Sequence, residues 1–157
     1  MVEVFNEMKI IVKDEMETEA LGNKIGDLHQ PGLTVTLEGQ IGAGKTTFVR
    51  GFLRSLGYDG HVKSPTFTLI EYYEFESFDL FHLDLFRVED VRELNYFGLD
   101  LSSKAQTTYL VEWPKFDLNF VSKVDINVTF DVLESGREAI FTVFTQQGKE
   151  LLSNLRF

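Results

Sequence analysis

The sequence predicts an α/β fold: a three-layer sandwich around a mixed β-sheet, with a C-terminal antiparallel hairpin. Strand and helix patterns alternate over the first two thirds of the chain, and a glycine-rich loop joins a buried strand to a helix. Two strands of alternating polarity follow, separated by a turn. The 157 residues suffice for one domain, so we expect a single domain spanning residues 1–157.

Patterning assigns the elements of the first half in chain order. They are a strand at Met8–Val12, a helix at Thr18–Leu28 with Thr18 as candidate N-cap, a turn at His29–Gly32, a buried strand at Leu33–Leu37, and a helix at Lys45–Leu56 ended by Gly57.

The second half contains more strands than helices. Its expected elements are a loop and strand within Val62–Glu74, a strand at Asp79–Phe86, a helix at Glu89–Phe97, a strand at Thr107–Trp113, the hairpin strands Val124–Leu133 and Glu138–Thr145, and a short helix at Gly148–Leu155.

Composition excludes several classes of function. The formal charge of −10 argues against a stand-alone nucleic-acid-binding protein, though not against a subunit that acts beside an RNA-binding partner. The absence of cysteine excludes disulfides, thiolate catalysis and cysteine-ligated zinc. No apolar run is long enough to span a bilayer, and the acidic N-terminal segment lacks the order of a signal peptide, so we expect a cytoplasmic protein without membrane contact.

The most specific motif is a phosphate-binding loop. It comprises Gly39, Gln40, Ile41, Gly42, Ala43, Gly44, Lys45 and Thr46, and Thr47 follows it. Glycines allow successive backbone N–H groups to face phosphate oxygens, Lys45 supplies positive charge near the β- and γ-phosphates, and the Thr46 hydroxyl can ligate magnesium. The strand before it and the helix after it are the context that this motif requires, which predicts a P-loop nucleotide-binding fold.

Two carboxylates are candidates for the acids that hold magnesium and position water. Asp84 lies within an apolar strand, and Glu112 ends another. The structural alternative for each is an ion pair, for example with Arg87 or Lys115. His82 shares a strand face with Asp84, but without cysteine or a third ligand it is better explained as a hydrogen-bonding partner than as a zinc ligand.

Other residues near these motifs are less specific. Ser64 and Thr66 flank Pro65 in a segment that fits either a plain turn or a loop that senses the γ-phosphate. Trp113 is either a core or rim aromatic, or a functional residue that forms a wall beside the nucleotide or contacts a partner. The basic block at residues 39–70 suits an anionic ligand, whereas the acidic block at residues 71–100 is either a solvated face or a docking surface for a basic partner.

Taken together, these blocks resemble the TsaE (YjeE) family of bacterial ATPases required for threonylcarbamoylation of adenosine 37 in tRNAs. The matching blocks are Gly39–Thr47, Ser64–Leu69 (Ser-Pro-Thr-Phe-Thr-Leu), His82–Arg87 (His-Leu-Asp-Leu-Phe-Arg) and Val111–Pro114 (Val-Glu-Trp-Pro). Gln40 and Phe86 depart from the residues common in the family, which are Asp and Tyr.

The resemblance implies ATP and Mg²⁺ as cofactors and TsaB and TsaD as partners, with tRNA engaged only through that complex. It implies that Lys45 and Thr46 contact nucleotide and magnesium, and that Asp84 and Glu112 lie near the metal. It further implies a switch-like role for Thr66 and a position beside the site for Trp113.

Three other functions remain alternatives. A P-loop kinase needs an acceptor pocket and usually an arginine-rich lid, and the arginines here are dispersed. A GTPase usually carries an Asn-Lys-x-Asp motif, whereas Asn23-Lys24 is followed by an acid one residue too late and precedes the P-loop. The third is a nucleotide-sensing adaptor without useful turnover, which overlaps with the ATPase interpretation because ATP hydrolysis could serve mainly to reset a complex.

Overall fold

The computed structural model describes residues 6–90, 92–93, 106–114 and 124–156. In chain order the elements are β1 (Asn6–Val12), α1 (Glu15–Leu28), β2 (Thr34–Gly39), α2 (Lys45–Ser55), β3 (Ile70–Glu74), β4 (Asp79–Asp84), β5 (Thr107–Glu112), β6 (Ile126–Val132), β7 (Arg137–Val143) and α3 (Gln146–Ser153).

The described strands form one mixed sheet in the order β1-β7-β6-β2-β5-β4-β3. Strand β2 runs parallel to both β5 and β6, and β4 runs parallel to β5. The pairs β6–β7, β1–β7 and β3–β4 are antiparallel. The predicted α/β class, mixed sheet and C-terminal hairpin are therefore confirmed.

The N-terminal boundary of the first helix differs from the prediction. Asp14, not Thr18, is the N-cap of α1, because its carboxylate accepts a hydrogen bond from the Glu17 backbone N–H at 2.9 Å. Glu15 and Glu17 then place negative charge in the first turn, where the helix dipole favours it. Thr18 is buried within the helix, and its hydroxyl donates to the Asp14 carbonyl.

One predicted helix lies partly outside the described residues. Of the segment Glu89–Phe97, residues 91 and 94–97 lie outside the described residues. Arg92 and Glu93 form a 3₁₀ turn, and the Arg92 side chain is paired with Asp90.

The main core lies between the sheet and the three helices of the described residues. Each of these helices contributes to it, through residues such as Ile25, Phe48 and Leu151, which belong to the same apolar cluster as Leu37 and Phe141 of the sheet. Glycines bring α1 and α2 unusually close together: a Cβ at Gly22 would lie 2.0 Å from the Phe48 carbonyl oxygen. Helix α2, which begins at the P-loop lysine, is thus held against α1 by backbone contact.

The opposite face of β4 and β5 carries a second apolar cluster. It consists of Leu83, Leu85, Val88, Tyr109 and Val111. Apolar packing on both faces fixes these two strands, whose carboxyl ends hold the predicted acids. No helix within the described ranges is long and apolar enough to cross a membrane.

Candidate active site

The loop between β2 and α2 has the backbone geometry of a phosphate-binding turn. Gly44 is the N-cap of α2 and has a φ of 116°, a left-handed conformation that side chains rarely adopt. Gly39, at the other end, has a φ of 144°, and a Cβ there would lie 2.8 Å from the Phe130 carbonyl oxygen. The N-terminus of α2, with its unpaired N–H groups, therefore faces the loop and favours an anion.

Lys45 is buried at the centre of this loop, with only 5% of its surface exposed. Its Nζ donates to the Gly39 carbonyl at 2.5 Å and to the Gln40 carbonyl at 3.0 Å, and lies 4.2 Å from the centre of the Trp113 ring. Burial lowers the pKa of Lys45, whereas the nearby Glu112 and Asp84 carboxylates act in the opposite direction.

Glu112 links the P-loop helix to strand β4. Its Oε2 accepts a hydrogen bond from the Thr46 hydroxyl at 3.1 Å and lies 2.5 Å from His82 Nε2. His82 is fully buried and Glu112 is 3% exposed. The sequence predicts His82 as a hydrogen-bonding partner inside the site or core, and the structure shows that hydrogen bond, made to Glu112.

Asp84 heads a second chain of hydrogen bonds. Its Oδ2 accepts from the Thr66 hydroxyl at 3.1 Å, and Thr66 Oγ1 lies 2.7 Å from the Ser64 hydroxyl. Its Oδ1 accepts from the Phe86 backbone N–H at 2.9 Å. Of the ion-pair partners considered from sequence, Arg87 has its guanidinium carbon 4.2 Å from the Phe67 ring, and Lys115 lies outside the described residues.

The sheet register places the two acids side by side. Asp84 and Glu112 are paired residues at the carboxyl ends of the parallel strands β4 and β5, and both are almost fully buried. Two buried carboxylates beside the ammonium of Lys45 are costly unless a further cation joins them.

The donor set fits magnesium better than a metal held by protein alone. Magnesium is usually bound by one or two carboxylates, with substrate phosphates and water completing its octahedron. Asp84, Glu112 and the Thr46 hydroxyl supply such oxygens. Within the described ranges, no group of three or more His, Cys, Asp or Glu side chains is placed to hold a metal.

Trp113 has a backbone conformation rare for a large residue. Its φ is 56°, and its N–H donates to the Leu37 carbonyl at 3.0 Å. The chain thus turns sharply after Glu112, which brings the indole beside Lys45 and 4.9 Å from the Phe86 ring. Left-handed conformations of this kind store about 1–3 kcal/mol of strain.

These residues line a cavity of about 570 Å³. Most of the residues singled out from sequence are in its wall: Ile41, Gly42, Ala43, Gly44, Lys45, Thr46, Thr47, Ser64, Thr66, Asp84, Phe86, Glu112 and Trp113. Gly39 and Gln40, the first two residues of the loop, are not among the lining residues, and their carbonyls accept hydrogen bonds from Lys45. The structure therefore brings the predicted residues together, while their catalytic and ligand-binding roles stay predictions.

Several wall residues were not identified from the sequence. Lys13, Asp14, Glu15, Thr18 and Arg137 complete the wall at the β1–α1 junction and the start of β7, and Arg87 lies on the β4 side. The register pairs Val12 with Arg137, which brings Lys13 and Arg137 to the same end of the sheet. No local motif marks these residues, because only the pairing of the first and seventh strands places them near the P-loop.

Comparison with known proteins gives consistent matches. The sequence model of the family described as "Threonylcarbamoyl adenosine biosynthesis protein TsaE" matches residues 12–139. The tRNA threonylcarbamoyladenosine biosynthesis protein TsaE of Haemophilus influenzae is 33% identical over 147 residues, covering 90% of this chain and 93% of that protein. The protein of the same name from Bacillus subtilis is 44% identical over 97 residues, covering 62% of this chain and 60% of the relative.

A solved structure is similar over nearly the whole chain. The crystal structure of YdiB from Bacillus subtilis aligns with a TM-score of 0.76 and 29% sequence identity. The alignment covers 98% of this chain and 95% of YdiB.

Proposed function

Because the chain belongs to the TsaE family and so to threonylcarbamoyladenosine biosynthesis, we propose that it is the Mg²⁺-dependent ATPase that serves this tRNA modification. The observation that carries the proposal is the convergence of the buried Lys45, Asp84 and Glu112 on one P-loop cavity. A buried ammonium beside two buried carboxylates suits a phosphate chain accompanied by a divalent cation.

Each residue has a chemical task in this proposal. Lys45 and the backbone N–H groups of Gly44–Thr46 hold the β- and γ-phosphates, while Thr46 and Asp84 are the principal magnesium ligands. Bound magnesium would neutralise charge on the phosphate oxygens. Glu112 makes its shorter hydrogen bonds through Oε2, and Oε1, which lies 3.4 Å from the Thr46 hydroxyl, orients the attacking water in this proposal.

Thr66 is proposed as the residue that responds to the γ-phosphate. Its hydroxyl is shared between Ser64 and Asp84, so a contact with a phosphate oxygen would compete with these bonds. Loops that order around a γ-phosphate commonly exchange hydroxyl contacts in this way. Trp113 limits solvent beside Lys45.

We further propose that the ATPase acts with TsaB and TsaD in the cytoplasm and meets tRNA only through that complex. The charge of −10 supports this, because a protein so acidic is poorly suited to bind the phosphate backbone by itself.

The decisive experiment measures ATP hydrolysis by the chain alone and with TsaB and TsaD. We expect turnover that requires Mg²⁺, is lost on chelation and rises strongly with the partners. Turnover controlled by a small-molecule acceptor would instead identify a kinase. A large preference for GTP over ATP in competition binding would contradict the ATPase proposal.

The variant Lys45→Ala tests the proposed phosphate site. Loss of the only ammonium that contacts both the Gly39 and Gln40 carbonyls in the described structure should abolish nucleotide binding or hydrolysis while the chain stays folded. Calorimetry with Mg²⁺ and ATP measures binding. Unchanged affinity together with unchanged turnover would exclude the proposed phosphate site.

A further inference from the structure

His82 has a polar side chain in a position that favours an apolar one. It lies in the middle of β4, is fully buried, and is paired with Leu110 of β5. Since successive residues of a strand face opposite sides, His82 shares its side of the sheet with Asp84. Glu112, paired with Asp84, is the diagonal neighbour of His82 on that side.

The imidazole makes one side-chain hydrogen bond within the described structure, and that bond is to Glu112. Its Nε2 lies 2.5 Å from Glu112 Oε2, while Nδ1 is buried and has no hydrogen-bonding partner among the described residues. A carboxylate oxygen accepts hydrogen bonds, so Nε2 is the donor in the tautomer that carries its proton on that nitrogen. A buried polar atom without a partner is destabilising, so among the described residues Nδ1 adds no stabilising hydrogen bond to the core.

His29 provides an internal contrast. It is also largely buried, and its Nε2 lies 2.8 Å from the Thr108 hydroxyl, on the same strand as Glu112 but near the opposite end. Its ring packs 5.3 Å from the Phe52 ring and 5.0 Å from the Phe78 ring. His29 therefore has the surroundings of a core residue, whereas His82 contacts Glu112, which lines the candidate active site.

We propose that His82 is a positioning residue for Glu112, an inference that rests on the proposed ATPase function. His82 holds Oε2 from β4 while Thr46 holds the same oxygen from α2. These two contacts fix the orientation of the Glu112 carboxylate. Its other oxygen, Oε1, makes only the longer contact of 3.4 Å with the Thr46 hydroxyl, and in this proposal it contacts the reacting water. Small displacements of a catalytic group are sufficient to slow an enzyme substantially.

Two substitutions distinguish the effect of the hydrogen bond to Glu112 from the effect of the volume of the imidazole ring. The amide nitrogen of glutamine can reach the position of Nε2, whereas that of asparagine reaches only the position of Nδ1. His82→Asn should therefore lower kcat of the complex with TsaB and TsaD by about 10- to 100-fold, with KM changed by less than about 3-fold. His82→Gln should restore most of the lost rate, which a purely structural role would not predict.

His29→Gln is the control for loss of a buried histidine. It should alter the melting temperature and leave kcat unchanged. The melting temperature of every variant is measured beside its kinetics, so that rates refer to folded protein. If His82→Asn does not fold, comparison of His82→Gln with wild type and the spectroscopic test below still decide the question.

A nuclear magnetic resonance experiment tests the bond without any turnover. The chain has three histidines, so ¹⁵N side-chain spectra can be assigned by single substitutions. We expect a protonated Nε2 on His82 whose resonance shifts on Glu112→Gln, while the His29 resonances stay in place. An unchanged His82 resonance would contradict the proposal.

The kinetic outcomes distinguish the two proposals. Normal turnover by folded His82→Asn, in a complex whose wild type is active, overturns the positioning role and leaves the ATPase proposal standing. Wild-type protein that neither binds nor hydrolyses ATP overturns both.

Discussion

At the scale of single residues, Glu112 connects three parts of the fold through one carboxylate. It belongs to β5, accepts a hydrogen bond from Thr46 of α2, and contacts His82 of β4. Such a group can act on substrate or can simply hold the elements together, and these two roles predict different measurements.

Glu112→Gln keeps the size of the side chain and removes its charge. We expect ATP still to bind, because Lys45 and the loop remain, while single-turnover hydrolysis falls by about 10²-fold or more. Calorimetry and quenched-flow measurements on one sample test this. A lower melting temperature with normal hydrolysis by the folded protein would assign Glu112 a structural role and leave Asp84 as the principal acid.

His29 predicts a pH dependence of stability. Burial lowers the pKa of His29 from 6.5 to about 4, so the unfolded chain binds a proton between these values while the folded chain does not. The stability supplied by neutral His29 is complete above pH 6.5 and is lost as the pH falls toward 4.

This loss should amount to about 1 kcal/mol per pH unit within the window. Urea unfolding of wild type and His29→Gln at several pH values isolates it, because the remaining carboxylates contribute to both proteins. Parallel pH profiles for the two proteins would show that His29 is not the group responsible.

Individual site residues differ in how far the sequence predicts them. The spacing of the P-loop identifies Lys45 and Thr46, since each backbone and side-chain position in that motif has one chemical use. Asp84 and Glu112 are identifiable because a charged side chain in an apolar strand is costly unless it is paired or bound to a metal. Lys13 and Arg137 are not, because their nearness to the loop depends on pairing between distant strands.

At the scale of elements, the contact between α1 and α2 depends on the absence of side chains. A Cβ at Gly51 would lie 1.9 Å from the Glu19 carbonyl oxygen, which cannot move without displacing α1. Because α2 begins at Lys45, the same contact determines where the P-loop lysine sits.

Gly51→Ala should destabilise the fold by about 1–3 kcal/mol, the usual range for overpacking. Helix propensity alone predicts the opposite sign, since alanine is favoured over glycine by about 1 kcal/mol in a helix interior. The free energy of unfolding in urea therefore distinguishes the two effects directly. An increase in stability would mean that the helices separate without cost.

The boundaries of helices and strands show which local sequence signals are sufficient to predict secondary structure. Alternating polarity located the hairpin strands because its period of two is independent of tertiary contacts. The predicted start of α1 was wrong because threonine and aspartate are both good N-cap residues. Thr18 is buried against the P-loop side of the fold, and Asp14 is the N-cap instead. The order of the strands depends on long-range pairing that no local pattern contains.

At the scale of the whole molecule, occupation of one cavity should stabilise the entire fold. A ligand at 100 times its Kd that binds only the folded state contributes about 2.7 kcal/mol. For a chain of this size the melting temperature should rise by roughly 5–10 °C with Mg²⁺ and a non-hydrolysable ATP analogue.

Lys45→Ala is the control for this shift and should lose most of it, and Mg²⁺ alone should produce little. Differential scanning calorimetry at matched ligand concentrations gives the comparison. Equal shifts for wild type and variant would indicate that the nucleotide binds elsewhere.

The sharp turn at Trp113 has a practical consequence. The chain contains a single tryptophan, and the turn fixes its ring 4.2 Å from the ammonium of Lys45. All of the indole fluorescence therefore originates from the wall of the phosphate cavity, and indole emission depends on nearby charge and on solvent. Nucleotide entry, and any partner that covers the cavity, should therefore be visible as changes in intrinsic fluorescence in the unlabelled protein.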